Sequence, residues 1–235
     1  SIYRPVFTYD LTEVFQATSQ CETSFIECYK DLPIINFQEY SNQLRQLEII
    51  LDDMAEVFKV VAPHYEQHNV YGHAIRNIII LACTELDARM QDILANNGVN
   101  PNRKYFEMKD YFKLKDPLKL DEYELSFYRY GDLGTFSPFS TWENDGQLYW
   151  YQAYNHIKHN REKNFSEANL LNAINAIMAY AIILIAQYGY RNDLWRVTIG
   201  KIIHIEKEPK WDLEDFYIKS PDGQIPVSFP FQQEE

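Results

Sequence analysis

The chain has little cysteine: Cys21, Cys28 and Cys83 are the only three among 235 residues. An odd number without a CxxC pair supplies neither a disulfide framework nor a zinc site, and a reducing cytoplasm is the expected compartment. Positive charge is also short. Lys and Arg number 22 against 34 Asp and Glu, a formal net charge of -12. That balance argues against non-specific binding to DNA or RNA, which cationic side chains drive by displacing counterions. Any nucleic-acid contact has to be local. Long apolar runs are missing. The longest, 176–186, is shorter than the roughly 20 residues that span a bilayer, and Asn169, Asn172 and Asn175 precede it, so it reads as a buried core helix without membrane association. The first residues carry Arg4 and Asp10 and no apolar stretch of signal-peptide length, which leaves secretion unsupported. There is no GxSxG, no P-loop and no GxGxxG opening a helix, so the hydrolase-elbow and nucleotide-cradle readings have no basis.

What is present is enough apolar material for a sizeable core, 46% of the chain. An aromatic content of 15%, with 18 Tyr, exceeds the needs of a minimal helical bundle and leaves rings for stacking or for an interface. Apolar residues at Leu44, Leu47, Leu51, Met54, Phe58 and Val61 recur three and four apart, which predicts a long helix. Asn36 is placed to cap it, with Glu39 as the third residue of a capping box, and Pro63 to end or kink it. A second helix starts at Tyr71 or Gly72 and carries Ile75, Ile79, Ala82, Leu86, Met90, Ile93 and Leu94 to a stop at Asn97-Gly98. Two more helices are predicted, one over about 147–160 and one from Asn164, with Glu167 as its capping-box residue, through Leu171, Ile174, Met178 and Ile182 to Gly189.

Between the two pairs, 99–146 is an insertion. In it 105–114 has the pattern of a short amphipathic helix and Asp116-Pro117 that of a turn, while the aromatic-rich 123–142 is expected to be ordered and to pack over one end of the helices. Beyond residue 190 the period changes. Trp195, Val197 and Ile199 alternate with other residues, and Ser220-Pro221-Asp222-Gly223 separates two further extended runs. The expected fold is therefore all-α, an antiparallel helical bundle of four to five helices over 36–190, with a small C-terminal β appendage over 191–235. Residues 1–35 form an N-terminal extension whose stretch 3–7 is a candidate edge strand for that appendage.

The densest chemistry is YNHIKHNR, 154–161, which places an amide, two imidazoles, an ammonium and a guanidinium within about two helical turns. On a helix Asn155 and His159 share one face with Lys158 beside them, and Tyr154, Lys158 and Arg161 form an overlapping stripe. Cations near a helix C-terminus suit the macrodipole, which by itself accounts for Lys158 and Arg161. It does not account for Asn155, a weak helix former set in mid-helix after the aromatics Tyr149, Trp150 and Tyr151. Those groups have the chemistry to bind or cleave an anionic ligand.

Further upstream Glu85 and Arg89 are spaced for an intrahelical ion pair. The alternative is that Glu85 faces the 154–161 cluster and orients Lys158, His159 or Arg161 as a supporting carboxylate. His64, His68 and His73 lie close in sequence, but solvated helix-end histidines are the commoner outcome of such a pattern, and no metal or cofactor is called for.

The order of these elements, a long helical hairpin with a Glu on its second helix and then two helices joined at YNHIKHNR and followed by NFSEANLLNAINAI, resembles the HEPN superfamily. That superfamily comprises small helical-bundle domains of prokaryotic toxin, antiphage-defence and RNA-processing proteins. The resemblance covers about 36–190, and Asn155, Lys158, His159 and Arg161 are its most specific piece. It implies a symmetric homodimer, RNA or a nucleotide as ligand, a protein partner from a defence system, and metal-independent endoribonuclease activity at an Arg-x(4–6)-His motif. This chain departs from that motif. The positions for the Arg are Gln152, Ala153 and Tyr154 before His159, and Tyr149, Trp150 and Tyr151 before His156. His159 is then the candidate base, Lys158 and Arg161 the phosphate clamp, Asn155 the orienting amide, and Glu85, Arg89 and Tyr154 the supporting residues. The competing expectation is a non-catalytic dimerisation or adaptor module in which the cluster only ties helices together.

Overall fold

The computed structural model describes residues 37–96, 99, 101, 104–143, 148–190 and 193–210. The 1–35 extension, the Asn36 cap, the Asn97-Gly98 stop and the turn at 220–223 lie outside them. The described residues are mostly helical with a small antiparallel sheet.

Helix α1 (Phe37–Phe58) buries Leu44, Leu47, Leu51 and Met54 of the predicted stripe, with Tyr40, Ile50 and Val57 beside them, while Phe58 is half-buried and Val61 lies beyond the helix end. It ends at Phe58, five residues before Pro63, so the proline does not set its end. Helix α2 (His73–Asn96) buries the whole predicted stripe from Ile75 to Leu94. In the connection between them the backbone N–H groups of Leu170 and Leu171 donate to the carbonyls of Val70 and His68, at 2.9 and 3.0 Å. This pins the start of a later helix to the loop that precedes α2.

The insertion forms two single-turn helices, α3 (Met108–Tyr111) and α4 (Lys115–Leu118), joined by a 3-10 turn, in place of one amphipathic helix over 105–114. Asp116 and Pro117 lie inside α4, where the missing proline N–H falls in the first turn and costs nothing. Lys119 ends α4 in the left-handed region at φ 48°. Strands β1 (Glu124–Phe127) and β2 (Thr135–Phe136) follow, and Phe139 and Trp142 are buried beyond them. The Phe58 ring at the end of α1 meets Phe127 edge-on at 5.8 Å and Tyr130 at 4.9 Å, so this segment does cover one end of a helix.

Helix α5 (Tyr149–His159) ends at Asn160, and Arg161 opens the short α6 (Arg161–Asn164). Helix α7 (Leu170–Tyr188) begins six residues later than its predicted start. Its cap is Asn169, whose side-chain oxygen accepts from the Asn172 N–H at 3.0 Å, and the carboxylate of Glu167 is engaged by His156 instead of capping. By length and composition α7 alone among the described helices is apolar enough to cross a membrane, and 83% of its most apolar window is buried inside the protein. Helix α2 packs most extensively on α7, α1 packs on both, and α5 fills the side formed by α2 and α7.

The C-terminal reading needs correction. Residues 193–197 form helix α8 (Asp193–Val197), followed by a 3-10 turn, and the strand comes only at β3 (Ile203–Lys207). Trp195 and Ile199 are four apart and both buried, while Val197 between them is 60% exposed, which is one helical turn and not a strand alternation. The sheet is also not a separate C-terminal unit. Its order is β2-β1-β3, so the central strand belongs to the insertion, with Leu125 opposite Ile205 and Phe127 opposite Ile203.

Candidate functional site

The last two turns of α5 carry the polar cluster, and packing sorts its members. Tyr154 and Ile157 point inward and are buried, Asn155 is half-buried, and His156, Lys158, His159 and Asn160 are exposed. The Arg161 side chain lies outside what is described. The His159 imidazole makes no hydrogen bond among the described residues. His156 pairs through Nδ1 with Glu167, at 2.9 and 3.1 Å to its two oxygens, which ties α5 to the 3-10 turn before α7.

Lys158 is the best-held member. Its Nζ donates to the Tyr154 hydroxyl at 2.8 Å and lies 4.8 Å from the centre of the same ring. Behind Tyr154 stands Asp87 on α2, whose Oδ1 accepts from the Tyr151 hydroxyl at 2.8 Å. The Tyr151 ring meets the Tyr154 ring edge-on at 5.4 Å, and both phenols lower the Asp87 carboxyl value. Lys158, Tyr154, Tyr151 and Asp87 thus form one cluster in which the two phenols are buried and Asp87 is half-buried. Cys83 lies one turn before Asp87, fully buried, within electrostatic reach of both Asp87 and Lys158. On the far side Tyr111 of α3 accepts from the Gln91 amide at 2.9 Å.

Burial governs the electrostatics here. Desolvation raises the Asp87 carboxyl from 3.8 to about 6, against the opposing pulls of the Tyr151 hydrogen bond, the Lys158 charge and Tyr154. The Lys158 ammonium is held above its ordinary value, first by the bond to Tyr154 and against partial desolvation. Burial and the neighbouring Asp87 charge push the Tyr151 and Tyr111 phenols and the Cys83 thiol up, so all three are neutral at physiological pH. In this state Asp87 accepts the Tyr151 hydrogen bond and Lys158 presents an anchored positive charge to solvent.

The carboxylate that α2 turns toward the cluster is thus Asp87, not Glu85. Glu85 sits two residues, or about 200° of helix, away from Asp87 and acts on Tyr180 of α7. Arg89, buried, leaves the cluster too. It donates to Glu39 of α1 at 2.6 Å and to the Tyr188 hydroxyl of α7 at 3.4 Å, and it pairs with Asp92 on its own helix. That network joins α1, α2 and α7 on another face of α2. The signal that marks Asp87 in the sequence is the stripe Cys83, Asp87, Gln91, four apart and offset from the apolar stripe, which is a semi-polar face meeting a tyrosine-rich helix.

The histidines between α1 and α2 go to separate partners. His64 accepts from the Glu66 N–H at 3.3 Å, His68 lies 3.2 Å from the Leu133 carbonyl, and His73 rests on the Phe165 ring at 4.7 Å. Among the described residues no group of three or more His, Cys, Asp or Glu is arranged to hold a metal ion. What the site offers chemically is an exposed imidazole beside a fixed ammonium. No family model matches the chain, and neither a curated protein nor a solved structure matches it significantly.

Proposed function

We propose that this chain is a HEPN-like RNA-binding protein whose helices α1, α2, α5 and α7 form an antiparallel bundle, and whose phosphate-contacting group is the exposed end of α5. The observation that carries the reading is Lys158. A surface lysine normally spends rotamer entropy to engage a ligand, whereas this one is already held by Tyr154 with its remaining N–H donors free to point outward. His159, exposed on the next position, adds the imidazole that metal-independent RNA cleavage needs. In that chemistry His159 takes the proton of a ribose 2′-hydroxyl and the freed oxygen attacks the neighbouring phosphorus. The 5′-oxygen leaves with a proton from solvent, which gives a 2′,3′-cyclic phosphate. Lys158, with Arg161, neutralises the charge gathered on the phosphorane.

Because the C-terminal end of a helix carries partial negative charge, the anion site has to be made by these side chains and not by the backbone. Two copies of the chain would double the local positive charge that an overall -12 otherwise denies. The test is binding and cleavage of RNA in the presence of a chelator by the wild type, Lys158→Ala and His159→Ala.

A second reading, a non-catalytic adaptor, is favoured by one observation: Lys158 and His156 both spend hydrogen bonds inside the protein, on Tyr154 and Glu167. On that reading a prokaryotic defence protein is the partner, and both alanine variants leave its capture unchanged.

A further inference from the structure

A second cluster of rings, Tyr71, His73 and Phe165, flanks the polar end of α5. Phe165 opens the 3-10 turn Phe165–Glu167 and is half-buried against the core. Tyr71 meets it edge-on with ring centres 5.7 Å apart, and His73, the first residue of α2, lies against it at 4.7 Å with the rings tilted by 41°. Covering Phe165 uses only part of each ring. Tyr71 stays 53% exposed and His73 is exposed, so both keep surface open to solvent. Their backbone is held. Tyr71 forms an antiparallel bridge with Asn169, the Gly72 N–H donates to the Ala168 carbonyl at 3.3 Å, and the Gly72 carbonyl accepts from the Arg76 N–H at 2.9 Å. The turn that carries Phe165 is in turn tied to the end of α5 from both sides. Before it, the Asn164 amide donates to the Asn160 carbonyl at 3.3 Å; after it, Glu167 pairs with His156 at 2.9 Å. These ties hold an anchored aromatic platform against the last turn of α5, which carries Lys158 and His159.

We infer that Tyr71 and His73 form a stacking subsite for an unpaired base of a single-stranded RNA whose phosphates lie on the end of α5. Every unpaired base offers a π-face to an aromatic ring, whereas a base inside a duplex has its faces covered by its neighbours. Rings set beside cations are the combination that holds a single strand without reading its sequence. The occupant follows from the pairing of the two features. An apolar partner would leave the adjoining Lys158 unused, and a bare anion would leave the rings unused; a nucleotide strand engages both. Because the backbone of Tyr71 and His73 is already fixed, stacking has little ordering entropy to overcome. Phe165 supports the two rings from the core side.

The subsite rests on the proposed RNA reading for its ligand, and the probes separate the two. The full chain, with chelator present, is titrated with a short oligoadenylate, with the duplex of that strand and oligouridylate, and with an abasic strand of equal length that keeps the phosphates and lacks the bases. Affinity is measured alongside the ring-proton NMR resonances of Tyr71 and His73. Oligoadenylate should bind the wild type at least about fivefold more tightly than the abasic strand or the duplex, and should move both sets of ring protons upfield as a base stacks on them. Tyr71→Ala should lose that advantage while binding the abasic strand as the wild type does. Tyr71→Phe should keep it, and His73→Ala should reduce it. An abasic strand or duplex bound as tightly as oligoadenylate overturns the subsite, as does an undiminished advantage in Tyr71→Ala. Lys158→Ala tells the two readings apart. Unchanged affinity with the rings still shifted strikes the phosphate role of Lys158 alone, whereas Lys158-dependent binding that leaves both rings unmoved strikes the stacking subsite alone. A wild type that binds none of the strands overturns both.

Discussion

Lys158 and Tyr154 stand one turn apart on α5 and share a 2.8 Å hydrogen bond in which the ammonium is the donor and the phenol oxygen the acceptor. This i,i+4 contact turns an exposed side chain into a fixed one, beside the half-buried Asp87 of α2 that accepts from Tyr151.

Asp87 makes stability depend on pH. It is an acid whose folded value, about 6, lies above its ordinary 3.8, so the folded state binds the proton more tightly than the unfolded chain does. Its contribution is therefore most favourable below 3.8 and is lost as pH rises toward 6, by up to ~3 kcal/mol at 1.36 kcal/mol per unit. Urea unfolding should show the wild type losing stability between about pH 4 and pH 6 relative to Asp87→Asn. Parallel curves for the two proteins would show that Asp87 is solvated.

Arg89 is a different kind of group. Its buried guanidinium joins Glu39, Asp92 and Tyr188, and its charge is preserved because those partners more than offset the desolvation. Arg89→Ala should cost about 2–4 kcal/mol by chemical denaturation, below the upper range for a buried pair because the Glu39 and Asp92 side chains are 42% and 55% exposed and can turn to water. RNA affinity per folded molecule should not change, since the network lies off the cluster.

Asn169 caps α7 and Trp150 anchors α5. Asn169→Ala should lower stability by ~1 kcal/mol, the usual cost of a lost side-chain cap. Trp150→Phe removes the buried indole N–H that donates to the Pro138 carbonyl at 2.9 Å, and should cost about 2–3 kcal/mol through the unsatisfied carbonyl and the smaller ring. Thermal melts of the two variants, read against each other, check the order of these effects.

Much of this architecture is legible in the chain because it is local. The stripes of α1 and α2 repeat over five or more turns, and no competing pattern fits them. Where the signal is short it divides. Trp195 and Ile199 fit a strand as residues two steps apart and a helix as one turn, and burial of that turn decided for the helix. Asn164 and Asn169 both offer caps, and the one free of its neighbour's ion pair won. The sheet pairs 124–127 with 203–207 across the segment that holds β2 and helices α5 to α8, a contact no periodicity encodes.

The candidate site was half legible for the same reason. YNHIKHNR reveals its own chemistry, but which α2 carboxylate it meets depends on the rotation of α2 against α5. Glu85 and Asp87 differ by two residues and so face nearly opposite ways. The presence of both on one helix left that choice to packing, and packing placed Asp87 beside Tyr151 and Tyr154.

The central claim is that the exposed end of α5 is a functional cation site and not a structural tie. The most direct measurement is the affinity of the full chain for RNA, with chelator present, for the wild type, Lys158→Ala and His159→Ala, each also melted thermally. The account predicts measurable binding by the wild type and a loss of about tenfold or more in Lys158→Ala. Cleavage, where the wild type shows it, should vanish in His159→Ala. Both melting curves should stay within what a ~0.5 kcal/mol surface change produces. Lowered melting temperatures in both variants together with no RNA binding by the wild type would contradict it.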